Sequence, residues 1–263
     1  METEKNNQEV HHTNEHSPIT SNGEKNSLSV GSAIIIGAVI IALAVVGSKK
    51  FSSSSMRDSS ESVLSTLDIS EKKFKACYEA KTPEAKIRAH MASAEKATKH
   101  IPEDQGRGTP YSIAINQKTG MKIEIAGAYP TEAVTSIIDS MFAGTAKSQT
   151  EIDIDPVTGE DHYFGSKDAE IVIIEYSDLE CPYCSRFHTT MQDVVESYGG
   201  KVAWVYRHLP LEQLHPNAFD KAISSECIYD IGGDVKFWEY IDLLFKKNEP
   251  KKPVFDPITG ETK

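Results

Sequence analysis

The stretch that most constrains this chain is IEYSDLECPYCSRFH, residues 174–188, where an apolar run meets a Cys-Pro-Tyr-Cys helix start. The preceding IVIIEY (171–176) has no polar residue before Glu175, the pattern of a buried strand. Pro182 suits the first turn of the helix that follows, because its missing N–H would be unpaired there anyway. Domains commonly run to about 100–150 residues. Only 79 residues follow Cys184, and the last dozen are polar, so the rest of the domain has to be sought elsewhere in the chain.

The bulk numbers narrow the class. The 263 residues hold one domain with extras or two small ones, and the formal charge of -11 argues against nucleic acid, whose phosphates would be repelled. No Lys/Arg stripe with interleaved aromatics appears. The four cysteines are an even number, compatible with disulfides in an oxidising compartment.

Residues 28–47, LSVGSAIIIGAVIIALAVVG, form an uncharged run of 20. At ~1.5 Å per residue a helix of that length spans about 30 Å, the thickness of the hydrocarbon core. The expectation is an uncleaved, single-pass transmembrane anchor. A cleaved signal peptide is the rival, against which stand the long polar leader and Lys49-Lys50 in place of a small-x-small site. Flanking charges lean by one or two toward a cytoplasmic C-terminal domain. The thiol chemistry below points to the opposite, extracytoplasmic side, and that side is the expectation.

Residues 1–27 are polar and aperiodic and read as a disordered tail, in which His11, His12 and His16 are solvated. Residues 48–62, with FSSSSMRDSSES, read as a flexible linker. From 63 to 99 the pattern is helical, with a second helix starting at Pro83 and His90 on its apolar face. A hairpin is expected from strands at 111–116 and 121–126 around Lys118-Thr119-Gly120, then an amphipathic helix over 131–142. A connector (144–150) leads to an extended stretch near 152–154. After the central strand, a helix to about Ser197, a strand at 202–206 and helices at 217–230 and 235–247 follow. Residues 251–263 read as a polar tail whose DPITGE echoes DPVTGE at 155–160, both legible as Pro-Gly turns.

A C-x-x-C pair binds zinc, forms a redox disulfide or pairs structurally. Structural zinc usually needs two such pairs or a compact Cys/His set, and this chain has one pair and two isolated cysteines. The position between a strand and a helix favours redox, because free amide donors and the helix dipole stabilise the thiolate of Cys181. Cys181 is then the exposed attacker and Cys184, a turn in, the shielded resolver. No metal and no bound cofactor is expected. Glu175 has two readings: a buried acid relaying a proton to Cys184, or a solvated residue at a strand edge.

IIEYSDLECPYCSRFH, with RHLPLEQLHPNAFDKAISSEC and FWEYIDLLF, resembles the active-site half of DsbA-like thiol–disulfide oxidoreductases, the membrane-anchored bacterial ones especially. The resemblance covers about residues 155–247 and implies a thioredoxin fold with a helical insert, Cys181 as nucleophile, Cys184 as resolving cysteine and Glu175 as the buried acid. After the insert the family expects a Thr–cis-Pro loop, a hairpin and a closing helix. Here similar segments come first: DISEKKFKACYEA resembles the last insert helix, GTPYSIAIN the cis-Pro strand, and PTEAVTSIIDSMF the closing helix. The implied fold class is α/β, a thioredoxin-like fold with helical insert, circularly permuted, plus one N-terminal transmembrane helix. The domain is expected over 63–250, its second half at 63–150 and its first at 151–250.

By the same resemblance Thr109 and Pro110, with a cis bond between them, hold client backbone, and Cys77 and Cys227 form a structural disulfide. The resemblance implies an oxidase ahead of a reductase or isomerase, with client proteins bearing free thiols and a reoxidising partner. The alternative is a redox-incompetent client-binding module, and two chains exchanging halves into a swapped dimer is the alternative assembly. His208 and His215 are expected to brace the turn RHLPLEQLHPN, and Tyr183 tunes the potential in a direction its aromatic character does not reveal.

Overall fold

The strand IVIIEYS is apolar where it must be covered on two faces, and it takes the middle of a sheet. The structure, a computed structural model, describes residues 63–102 and 105–248. Its elements are α1 (Glu71–Ala80), α2 (Glu84–Ala97), β1 (Tyr111–Asn116), β2 (Lys122–Ala126), α3 (Thr131–Phe142), β3 (His162–Gly165), β4 (Ile171–Ser177), α4 (Pro182–Ser197), β5 (Val202–His208) and α5 (Ala218–Asn248). The five strands lie in the order β2-β1-β4-β5-β3. β4 and β5 are parallel, joined across one face by α4, and the other three pairings are antiparallel. β4 therefore sits between β1, with Tyr111 opposite Tyr176, and β5, with Ile171 opposite Val202.

Alternation along β4 and β5 divides the core in two. Ile173, Trp204 and Tyr206 point to the face that carries Cys184, Phe187 and Met191 of α4 and Val134 and Ile138 of α3. Val172, Ile174, Tyr176, Ala203 and Val205 point to the other, where Ala94 and Ala97 of α2 cover them. A third cluster joins Ile87 of α2 to Phe219, Ala222, Ile223 and Cys227 of α5.

The hairpin, the 131–142 helix and the two central strands stand where they are expected. The four-residue edge strand β3 is not among the sequence expectations, because HYFG is too short to show a period. Gly165 ends it at φ +100, a conformation side chains rarely adopt; a Cβ there would also meet Val195 Cγ1 at 2.9 Å. The expected helices at 217–230 and 235–247 are one element with a break at Gly233 (φ 73, ψ -170).

The fold class needs correction. The expected membrane anchor at 28–47 lies outside the described residues, as do the 1–27 tail, the 48–62 linker and the 251–263 tail. Among the described residues no helix is long and apolar enough to cross a membrane. Even the 31-residue α5 carries Asp220, Glu226, Asp230, Asp234, Glu239 and Asp242 along its length. The fold is a thioredoxin-like α/β domain, and the transmembrane helix is not part of it.

Candidate active site

Cys181 is the N-cap of α4, in extended conformation (φ -72, ψ 122), with Pro182 next to it in the first turn. The strand-to-helix turn is tied down from below. The Asp178 carbonyl accepts the Cys181 N–H at 3.1 Å, and its carboxylate accepts the N–H groups of Glu180 and Leu211, both at 2.7 Å. His215 Nδ1 lies 2.9 Å from the same carboxylate, so this histidine braces the loop as expected from its place in the sequence. Leu209 N–H donates to the Ser177 carbonyl at 2.8 Å, holding the chain after β5 against the end of β4.

The Thr109–Pro110 bond is cis, and Cys181 Sγ lies 3.4 Å from the Thr109 carbonyl oxygen. Residues far apart in sequence meet here because β1 pairs directly with β4. The Gly127 N–H donates to the Pro110 carbonyl at 3.0 Å and fixes the loop from the side of β2. This loop covers Cys181, which keeps 4% of its surface exposed against 0% for Cys184. The nucleophile is thus less open than the sequence implies; Pro182 and Tyr183, the latter at 58%, are the exposed residues of the motif.

The two thiols differ sharply in acidity. The Cys184 S–H directed at the Cys181 sulfur, with the Thr109 contact and the amides of Cys184 and Tyr183, brings Cys181 down to about 5 against the opposing effect of burial. Burial pushes the Cys184 thiol well above its usual value. Beneath them lies Glu175, 1% exposed in the central strand, which rules out the strand-edge reading. Burial raises its carboxyl to about 8, and Ser177 and Trp204 draw it only part of the way back, both short of hydrogen-bond geometry. At neutral pH the site therefore holds a thiolate at Cys181, a thiol at Cys184 and a protonated acid behind it.

Cys77 and Cys227, the other two cysteines, are bonded to each other across 150 positions, from α1 to α5. His208 does not brace the 207–217 turn by its side chain. Its Nε2 faces Glu226 Oε1 at 3.0 Å, beside His162 Nε2 at 2.8 Å, while Lys86 Nζ donates to Oε2 at 2.9 Å. His90, His208 and Glu226 form a buried group of metal-ligating type. Its donors are engaged, since His90 Nδ1 accepts the His208 N–H at 3.2 Å and Lys86 supplies the positive charge. The group works as a brace between α2, β5 and α5. The sequence reading missed the polar residues around Glu175, namely Ser112, Ser177, Trp204 and Tyr206; the alternation along β4 and its register with both β1 and β5 place them.

A five-stranded mixed sheet with a C-x-x-C pair opening a helix beside a cis-proline defines a thioredoxin-like domain with a dithiol site. A family model described as Thioredoxin matches residues 157–253. The chain is similar to Na(+)/H(+) antiporter NhaA 1 of Mycolicibacterium vanbaalenii, 45% identical over 85 residues, which are 32% of this chain and 13% of that protein. It is similar to Na(+)/H(+) antiporter NhaA 3 of Salinispora tropica, 34% identical over 102 residues, 39% of this chain and 15% of that protein. The matches thus span only a small part of these curated relatives. Among solved structures, Pseudomonas aeruginosa DsbA2 is 35% identical, with 35% of this chain and 50% of that one covered at a TM-score of 0.33. The catalytic domain of Proteus mirabilis ScsC is 18% identical, with 46% and 81% covered at a TM-score of 0.21.

Proposed function

We propose that the protein is a thiol–disulfide oxidoreductase that oxidises client thiols through the Cys181–Cys184 pair. The observation that carries this is the split in acidity between two neighbouring sulfurs, one held near 5 at a helix N-terminus and the other raised by burial over a protonated Glu175. A client thiolate attacks Cys181 Sγ of the disulfide, the Cys181–Cys184 bond breaks, and the electron pair goes to Cys184, which takes the proton from Glu175. A second client thiolate attacks the client sulfur of the mixed disulfide and expels Cys181 as its thiolate. The client loses two electrons, the pair gains them, and a disulfide-bearing partner must reoxidise it.

The oxidase direction is supported by the Cys181 thiolate itself. A thiol depressed to about 5 contributes stability to the dithiol protein that is fully present above the ordinary value near 9, declines as pH falls below it and is lost as pH falls through 5. Stabilising the reduced form makes the disulfide a stronger oxidant. An oxidising, extracytoplasmic and membrane-associated location is part of the reading; the Cys77–Cys227 bond and the antiporter names of the relatives support it. The family's halves are read as standing in permuted order. Support comes from the cis-proline strand β1, which precedes the C-x-x-C yet pairs beside β4.

The test is oxidation of a reduced two-cysteine client peptide. Wild type oxidises it, Cys181→Ser does not, and Cys184→Ser accumulates the mixed disulfide at Cys181. Wild-type turnover in Cys181→Ser sinks the mechanism, and a pair whose potential lies far below glutathione's leaves only a binding module.

A further inference from the structure

Three adjacent strands surround Glu175, under Cys184, with polar side chains that the mechanism above does not use. Glu175 on β4 is the direct register partner of Tyr206 on β5 and of Ser112 on β1. Trp204, two residues before Tyr206, and Ser177, two after Glu175, share that face. All five are at most 1% exposed. The hydroxyls of Ser112, Ser177 and Tyr206, the Trp204 indole N–H and Glu175 Oε2 are buried without a hydrogen-bond partner. A buried polar group left unpaired costs stability, so several donors around one acid in a core otherwise filled by apolar side chains need a reason.

We propose that Tyr206 is a positioning residue that sets the proton affinity of Glu175, its phenol O–H donating to the carboxylate whenever that carboxylate is charged. The inference rests on the oxidoreductase reading above and adds a residue to it. When the disulfide opens, Glu175 gives its proton to the Cys184 sulfur and becomes an anion in a water-poor layer. A rotatable O–H on the neighbouring strand then has an acceptor. On reoxidation the Cys181 thiolate attacks the partner's disulfide; Cys184 then gives its proton to the Glu175 carboxylate and attacks Cys181 Sγ, the partner leaves as a thiolate, and the phenol is released. Tyr206 itself stays protonated throughout, because burial pushes its phenol well above the usual value and negative charge on Cys184 or Glu175 pushes it further. It is a donor, not an acid.

Four donors surround one carboxylate, and two of them, Ser112 and Tyr206, are directly paired with Glu175 in register. A serine hydroxyl stays close to the sheet, whereas the long phenol of Tyr206 reaches into the layer where it feels charge on both Cys184 and Glu175.

Carbon-13 labelling of glutamate carboxyls, with the Glu175 signal assigned by its loss in Glu175→Gln, reads the midpoint directly in the reduced full-length chain. Because a hydrogen bond to the charged form favours it, Tyr206→Phe is expected to raise the Glu175 midpoint by about one pH unit. Tyr240→Phe, which removes another buried phenol, leaves it in place. Global replacement by 3-fluorotyrosine, a stronger donor, moves the midpoint down and decides the matter if Tyr206→Phe does not fold. An unchanged midpoint in Tyr206→Phe, or an unchanged or raised one with fluorotyrosine, overturns the assignment. The readout needs no turnover, so an inert cysteine pair defeats the oxidoreductase reading while the midpoint still reports on Tyr206. Where the pair is active, the alkaline inflection of single-turnover reduction follows the same shift and is absent in Glu175→Gln.

Discussion

Glu175 and Cys181 depart from their ordinary acidities in opposite directions. Both are covered, but Cys181 has an S–H donor, a helix N-terminus and free amides to stabilise its charge, while Glu175 has apolar walls and donors that fall short. The consequence for stability has a definite sign. A carboxyl raised to about 8 in the folded protein binds its proton more tightly than in the unfolded chain, whose value is near 4.5. Its contribution is fully present below 4.5 and is lost as pH rises through 8. Glu175→Gln carries no such titration. In the oxidised protein its melting temperature relative to wild type is expected to climb between pH 5 and 9 and then level off. A difference that stays constant across that range means the acid is not raised.

At the scale of elements, α4 is held where the chemistry needs it by packing and by two polar pins. Phe187 and Met191 are fully buried under it; Ser185 Oγ donates to the Phe245 carbonyl at 3.0 Å, and His188 Nε2 lies 2.6 Å from Asp242. Its far end rests on Gly165. An alanine there adds a methyl 2.9 Å from Val195 Cγ1 and 3.1 Å from the Val202 carbonyl at φ +100. Gly120 has a similar sign of φ, +73, and open space around it. Gly120→Ala is expected to cost only the backbone strain, about 1 kcal/mol, and Gly165→Ala up to about 3 kcal/mol, read from urea unfolding. Equal losses would show that the contact with α4 and β5 is not tight.

For the whole molecule the decisive link is covalent. The Cys77–Cys227 bond closes a loop of 150 positions and joins α1, in the first described part of the chain, to α5 in the last. In the chain-entropy model a loop of that size stabilises by roughly 4–5 kcal/mol, an upper figure. The paired substitution Cys77→Ala with Cys227→Ala is expected to lower unfolding stability by up to about that amount while Cys181 and Cys184 keep their reactivity. Non-reducing peptide mapping should find the bond within one chain. A bond between chains would point to exchanged halves, and free thiols in oxidised protein would remove the link altogether.

The sequence by itself determined the local units and the identity of the reacting sulfurs. The apolar run of β4, the Cys-Pro-Tyr-Cys start of α4, the Lys118-Thr119-Gly120 hairpin and the 131–142 helix are each encoded within a dozen neighbouring residues, where period and turn chemistry are readable. Pairing Cys77 with Cys227 and expecting a cis bond at Pro110 needed likeness to a known family, since no local rule contains them. What tertiary structure alone decided lies across strands. Whether Glu175 faces water or the core depends on β4 taking the middle of the sheet between β1 and β5. That Tyr206, Ser112 and Trp204 gather around it depends on register, which no single segment specifies. The brace of Lys86, His162, His208 and Glu226 draws on α2, β3, β5 and α5 at once. Charge burial and proton affinity are properties of such assembled surroundings, because desolvation is set by everything packed around a group and not by its neighbours in the chain.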